Sequence, residues 1–203
     1  MEIIKYQKKG NNNYQIFLSD GRKIAINEDV ILKYKLLYKK EIDELLLNDI
    51  INENNNYDIY NKCVKYISIR VRSINEVREF MVRKNVSNDI IEETIDKLLK
   101  NNLLDDDVFT KAFINDKLKF SSLGPYRIEL ELKKQHIDDA IIYKYISDID
   151  NDFLISKIDK QIDKLMKTNR NKQNLKAKIY NNLVNAGFNQ GMIIDELRKY
   201  DLK

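Results

Sequence analysis

One cysteine and one histidine occur in 203 residues. A lone thiol, Cys63, cannot build an internal disulfide framework, and with His136 as the only imidazole the soft and nitrogen ligands for a metal are nearly absent. Glycine is also scarce: five residues, at 10, 21, 124, 187 and 191, too scattered for a phosphate loop, which clusters its glycines after a strand. No apolar run approaches the roughly 20 residues that span a bilayer. The N-terminus MEIIKYQKKG lacks the basic start, apolar middle and small-residue cleavage site of a signal peptide. These absences point to a cytoplasmic protein with no cofactor and no metal.

What is present belongs to a folded, charged chain. Apolar residues make up 43% and charged residues 33%, enough to fill a core and too regularly patterned for disorder. The net charge of +4 conceals an alternation: Lys62 to Lys84 holds seven basic residues against two acidic, Asp89 to Asp107 seven acidic against two basic, and Lys157 to Lys178 eight basic against two acidic. Such runs are either solvated helix faces or the footprint of a polyanionic partner. The Asn triplets at 11–13 and 54–56 accompany abundant Lys and Ile and read as loops.

The first 27 residues stand apart. YQIFLSDGRKIAIN alternates apolar and polar residues around Asp20-Gly21, the signal of a hairpin closed by a type I′ turn with positive φ at both central residues. EIIKYQ supplies a third antiparallel strand. Three short strands need a partner to pack on. The expected one is the helix that follows, capped by Asn27, with Val30, Ile31, Tyr34 and Leu37 at helical spacing; a second, KKEIDELLLNDI, presents Ile42, Leu45, Leu46 and Ile50.

Beyond Asn56 the periodicity is helical, and the sequence repeats. RSINEVREFMVRKNVSNDIIEETIDKL, LGPYRIELELKKQHIDDAIIYKYISDI and NLKAKIYNNLVNAGFNQGMIIDELRKY align without a gap at steps of 51 residues. Val77, Ile128 and Ile179 match, as do Met81, Leu132 and Leu183, then Val86, Ile137 and Phe188, and finally Ile95, Ile146 and Leu197. Each copy resolves into three helices. In the first, DIYNKCVKYISIRVR turns Ile59, Cys63, Tyr66, Ile67 and Arg70 to one side. Ser73 and Glu76 then form a capping box, so Ser73 reads as a cap and not a nucleophile. Ser87 caps the third helix, with Ile90, Ile91, Ile95 and Leu98 inward. Asn85, His136 and Gly187 follow the middle helices, where residues tolerant of positive φ are expected, so the only histidine has a structural role. In the second copy Asp105 caps a helix with Phe109, Ala112, Phe113 and Phe120 inward, and Gly124-Pro125 opens the next.

The expected fold is therefore mostly α: a small N-terminal antiparallel β-sheet with helices over 1–55, then three tandem three-helix repeats over 56–104, 105–150 and 151–203, forming an elongated curved array. The Asp run at 105–107 sits at a helix N-terminus, where negative charge is favoured, and gives no sign of a raised pKa. With His136 assigned to a helix end, no base stands beside a nucleophile. The expectation is a binding protein and not an enzyme. Arg70, Arg72, Arg78, Arg83 and Lys84 would line the first repeat and Arg127, Lys133 and Lys134 the second; Arg83 and Lys134 are equivalent, and a repeated cation suits a repeating anionic partner.

RVRSINEV at 70–77, NNLLDDDVFTKAFI at 101–114 and LGPYRIELELKKQHID at 123–138 resemble the RecX regulators of the RecA recombinase. The resemblance covers about 56–150 well and the third copy more loosely. The family often has glycine where Asn85 and His136 stand, and alanine at Thr110. What the resemblance implies is a monomer that docks in the groove of the RecA filament on single-stranded DNA, bridging subunits and hindering filament growth, ATP turnover, strand exchange and cleavage of the SOS repressor. It also implies that Arg72 faces the filament or its DNA while Arg70 pairs within its repeat, and that charge reversal at Arg72, Arg83 or Lys134 weakens inhibition without unfolding. The alternative is a general DNA-binding helical module, on single- or double-stranded DNA, that salt dependence would reveal.

Overall fold

A computed structural model describes residues 1–168 and 174–200. The chain divides into two compact units, one of Met1–Arg70 with Val77–Leu103, the other of Val71–Glu76 with the described residues from Leu104 onward.

In the first unit β1 (Ile3–Gly10), β2 (Asn13–Leu18) and β3 (Lys23–Asn27) form an antiparallel sheet in that order. Tyr6 pairs with Ile16 and Ile16 with Ile24, which gathers the apolar residues on one face. The β2–β3 turn is one residue longer than expected. The Gly21 N–H donates to the Leu18 carbonyl and the Leu18 N–H to the Arg22 carbonyl, both at 3.0 Å, and Gly21 at φ 88° is the positive-φ residue of the pair Asp20-Gly21. This is a three-residue loop with a left-handed glycine, not a type I′ turn. Asn27 caps α1 (Glu28–Lys33) by accepting the Asp29 N–H. Lys35 at φ 51° then ends the helical register, so Leu36 is buried where Leu37 was expected. On α2 (Glu44–Ser68), which Asp43 caps, Leu45 is exposed and Leu47 is buried. Ile16, Leu18, Ile26, Val30, Ile31, Leu36, Ile42, Leu47 and Ile50 make one core, the packing partner the sheet needed.

The triplet at 54–56 is not a loop. It lies inside α2, a single helix of 25 residues where two had been expected. The cause is Asn54, which is buried: its Oδ1 accepts the Asn27 N–H at 2.8 Å and its Nδ2 donates to the Ala25 carbonyl at 3.3 Å. One side-chain amide thus satisfies a donor and an acceptor on the open edge of β3.

The middle helices of the three copies are α3 (Ile74–Val82), α6 (Pro125–Lys134) and α9 (Leu175–Ala186), followed by α4 (Asn88–Lys100), α7 (Asp139–Ile146) and α10 (Gln190–Leu197). Each middle helix ends in the same hydrogen bonds. Val86, Ile137 and Phe188 donate their N–H to the carbonyls of Met81, Leu132 and Leu183 at 3.3, 3.3 and 3.2 Å. Asn85, His136 and Gly187 donate to Val82, Lys133 and Val184 at 2.9, 3.0 and 2.9 Å, with φ of 57°, 57° and 92°. This is the Schellman ending, which needs one left-handed residue and closes on an apolar pair. The matched residues Val77, Ile128, Ile179, Met81, Leu132 and Leu183 are all fully buried.

In the second unit α5 (Asp106–Phe120) and α8 (Asn151–Thr168) join α6, α7, α9 and α10 around a core that includes Phe109, Ile128, Leu132, Ile158, Ile179 and Leu183. Phe120 corrects the expectation of an inward aromatic: it is the last residue of α5 and 84% exposed, with no further turn to cover it. The start of α6 meets the end of α9. The Gly124 N–H donates to the Ala186 carbonyl at 2.7 Å and the Tyr126 N–H to the Gly187 carbonyl at 3.1 Å, so the unpaired donors of one helix meet the unpaired acceptors of another.

Two substitutions test this framework. Asn54→Ala strands a buried N–H on β3 and is expected to cost about 2 kcal/mol in urea unfolding. Gly187→Ala must hold φ 92° with a Cβ driven into the Arg127 backbone nitrogen, so a loss of about 3 kcal/mol is expected by the same assay; a change under ~1 kcal/mol in either would contradict the corresponding contact.

Candidate binding surface

The stretch YISIRVRS is where the arginines cluster. Helix α2 stops at Ser68, short of the expected Arg72, and residues 69–72 lead into the cap of α3. Ser73 is fully buried. Its Oγ accepts the Glu76 N–H at 3.0 Å, Glu76 Oε2 accepts the Ser73 N–H at 3.4 Å, and the hydroxyl donates to Gln135 Oε1 at 3.2 Å. Asp106 adds a fourth bond, accepting the Ile74 N–H at 2.9 Å. Arg72 lies against this box, 13% exposed and 3.9 Å from Glu76, whereas Arg70 is an exposed position. Arg72, which the resemblance would turn to the filament or its DNA, is thus mostly covered by its own repeat, and Arg70 is the more exposed of the two.

The three consecutive aspartates have three tasks. Asp105 caps α5, accepting from Asp107 and Val108; Asp106 reaches the start of α3; Asp107 binds Lys144 at 2.8 Å and accepts the Tyr145 hydroxyl. Burial pushes the Asp106 carboxyl above the usual range, against the pull of the Ile74 N–H. Nothing local announces this, since the Ile74 N–H that Asp106 accepts lies 32 residues earlier in the chain.

The remaining cations differ in how far they are already satisfied. In the first unit Arg78 is held by Glu92, and Arg83, 62% exposed, lies 3.6 Å from Glu79. Lys84 stands over the Phe80 ring, 4.9 Å from its centroid. In the second unit Lys133 lies between Glu129 at 2.9 Å and Asp139 at 3.4 Å, and those carboxylates raise its pKa. Arg127 and Lys134 are exposed. Exposed pairs of this kind contribute about 0–1 kcal/mol, so they can be exchanged for a partner's anions at little cost.

The run from Lys157 to Lys178 contains a residue that sequence counting misplaces. Lys157 is buried, and its Nζ donates to the carbonyl of Leu118 at 2.7 Å and weakly to that of Lys117 at 3.4 Å, closing the end of α5. It is a helix cap and not part of a basic surface. Arg170 and Lys172 of the same run lie outside the described residues.

Family models for RecX match at two places, the first three-helix domain at residues 60–98 and the second at residues 105–144. Regulatory protein RecX of Lactococcus lactis is 34% identical over 210 residues, 97% of this chain and 76% of that protein. The chain belongs to the RecX family. Regulatory protein RecX of Bacillus velezensis is 31% identical over 167 residues, 82% of this chain and 64% of its own length. A crystal structure of regulatory protein RecX superposes with a TM-score of 0.83 over 98% of this chain and 99% of that one, at 18% identity. Another, of RecX from Lactobacillus salivarius, gives 0.62 over 73% of this chain and 98% of that one, at 24% identity. At Thr110, where the RecX pattern often has alanine, the buried hydroxyl donates to the Asp106 carbonyl at 2.6 Å and so enters the core satisfied.

Lys157 yields a pH test. Burial lowers its pKa from 10.5 to about 8. Between those values the unfolded chain holds a proton that the folded chain has released, so the stability this residue contributes rises with pH across that window. Urea unfolding at pH 7 and pH 10 is expected to show wild type gaining on Lys157→Met at the higher pH; a gap that stays constant or shrinks would mean the ammonium is not desolvated.

Proposed function

We propose that this RecX-family chain restrains the RecA recombinase. It docks in the groove of the filament that RecA forms on single-stranded DNA, bridges successive subunits and hinders filament growth and ATP turnover, and with them strand exchange and SOS repressor cleavage. The observation that supports this reading most directly is the exposed cation carried at one place in two successive repeats. Arg83 and Lys134 each precede by two residues the left-handed end of a middle helix, 51 residues apart. A filament offers an acidic or phosphate group at regular intervals, and a repeated cation meets a repeated anion. Arg70, Lys84 and Arg127 are exposed and extend the contact, while Arg72, Arg78 and Lys133 bring the carboxylates that hold them.

The test is the ATPase rate of RecA on single-stranded DNA, with this protein added well below one copy per RecA subunit. Strong inhibition at such ratios is expected, because a blocked filament end silences many subunits. Arg83→Glu with Lys134→Glu is expected to raise the half-inhibiting concentration about tenfold with unfolding unchanged. Arg72 is unsuitable for this purpose, since its reversal would disturb the cap of α3. No inhibition, together with binding to bare DNA that weakens steeply with salt, would replace the RecA reading with that of a general DNA-binding module.

A further inference from the structure

The first repeat has an opening that the second fills. Ile59 and Lys62 of α2, Phe80, Met81 and Lys84 on and just beyond α3, and Val86 and Ile90 before and within α4 line a cleft of about 390 Å³. That is near the small end of ligand pockets, about 300–1,000 Å³, and suits one large side chain. Two differences from the second repeat create it. Where Phe113 packs against the core of that repeat, 51 residues earlier stands Lys62. Where Ile137 is 5% exposed, Val86 is only half-buried. An aromatic plug has been exchanged for a cation at the rim.

The charge around the cleft is unbalanced. Arg78, Arg83, Lys33 and Lys97 of the same unit each have a carboxylate within ion-pair reach. Among the described residues Lys62 and Lys84 have none. An apolar floor of Ile59, Met81, Val86 and Ile90 under two unmatched ammonium groups calls for an apolar group flanked by negative charge. A nucleic acid fits less well. Tyr66 stacks on Phe80 with centroids 4.3 Å apart and planes 7° apart, and Lys84 stands over the same ring, so a base stacking on Phe80 would have to displace one of them. Phosphates would gain nothing from the aliphatic floor.

We infer that this cleft is a docking site for an acidic protein segment, one aliphatic or aromatic side chain seated between α2 and the α3–α4 corner with neighbouring carboxylates on Lys62 and Lys84. Burial of the anchor provides the affinity and the two lysines select the flanking sequence. The inference does not depend on the partner being RecA.

The experiment uses the full chain with neither RecA nor DNA filament, so its failure is distinct from failure of the reading above. The methyl NMR signals of Ile59, Met81 and Ile90 are followed while adding the peptide acetyl-Glu-Asp-Phe-Asp-Glu-amide. Saturable shifts at these methyls are expected. Affinity should fall about tenfold when the peptide's phenylalanine becomes alanine, and about tenfold in Lys62→Glu with Lys84→Glu. It should survive Lys62→Arg with Lys84→Arg, which keeps charge and fold. Absence of shifts at these methyls overturns the inference, as does equal binding of the alanine peptide. So does a short oligothymidylate that shifts the same methyls more tightly than the peptide, which would make the cleft a nucleic-acid site.

Discussion

The left-handed residue at the end of each middle helix is the constraint from which the rest of the repeat follows. Asn85, His136 and Gly187 reverse the chain so that the next apolar residue returns to the helix just left. Val86, Ile137 and Phe188 therefore face Met81, Leu132 and Leu183; in the second and third copies the pair that closes the turn is the pair that enters the core, whereas in the first Val86 stays half-buried. The periodic apolar identities seen along the chain are thus two halves of one motif. Its hydrogen bonds fix where the third helix starts, and its apolar contact fixes which side of that helix is inward. The exposed cations two residues before the reversal, Arg83 and Lys134, inherit their equivalence from the same geometry.

Helix ends elsewhere are joined by a second economy, in which one polar group serves two elements. Ser73 caps α3 and reaches Gln135; Asp106 accepts from the start of α3 while its own backbone carbonyl accepts from Thr110; the first donors of α6 use the last carbonyls of α9. Lys157 closes α5 from α8. A buried backbone group without a partner costs more than a made bond contributes, so each of these side chains is constrained by an element distant in sequence. That makes them structural, even where their chemistry resembles that of a site.

This divides what the sequence could show from what it could not. Asn85, His136, Ser73, Asp105 and Gly124-Pro125 were legible because their roles are local: each acts on backbone within a few residues and its type announces the conformation. Asn54 was illegible because its partners, Ala25 and Asn27, lie on a strand nearly 30 residues earlier in the chain. Its triplet therefore read as a break in a helix that continues. Leu37 was misplaced because Lys35, a residue type that does not announce its φ of 51°, resets the register there, and Leu45 because α2 takes its register from its own cap at Asp43. Phe120 followed the helical period correctly, but the period cannot say that the helix ends there.

The candidate surface shows the same limit in electrostatic form. The basic run from Lys62 to Lys84 and the acidic run from Asp89 to Asp107 look like opposed surfaces in the sequence, yet much of that charge is matched within the chain. Glu92 takes Arg78, Glu79 takes Arg83 and Glu93 takes Lys97, while Asp105 and Asp106 are used on helix ends. A paired cation still binds, but an incoming anion must displace a carboxylate and gains only the difference. Cations without such a partner act at full strength over a Debye length of about 8 Å. Selectivity for an acidic partner therefore rests less on how many basic residues a repeat holds than on which of them its own acids leave unmatched.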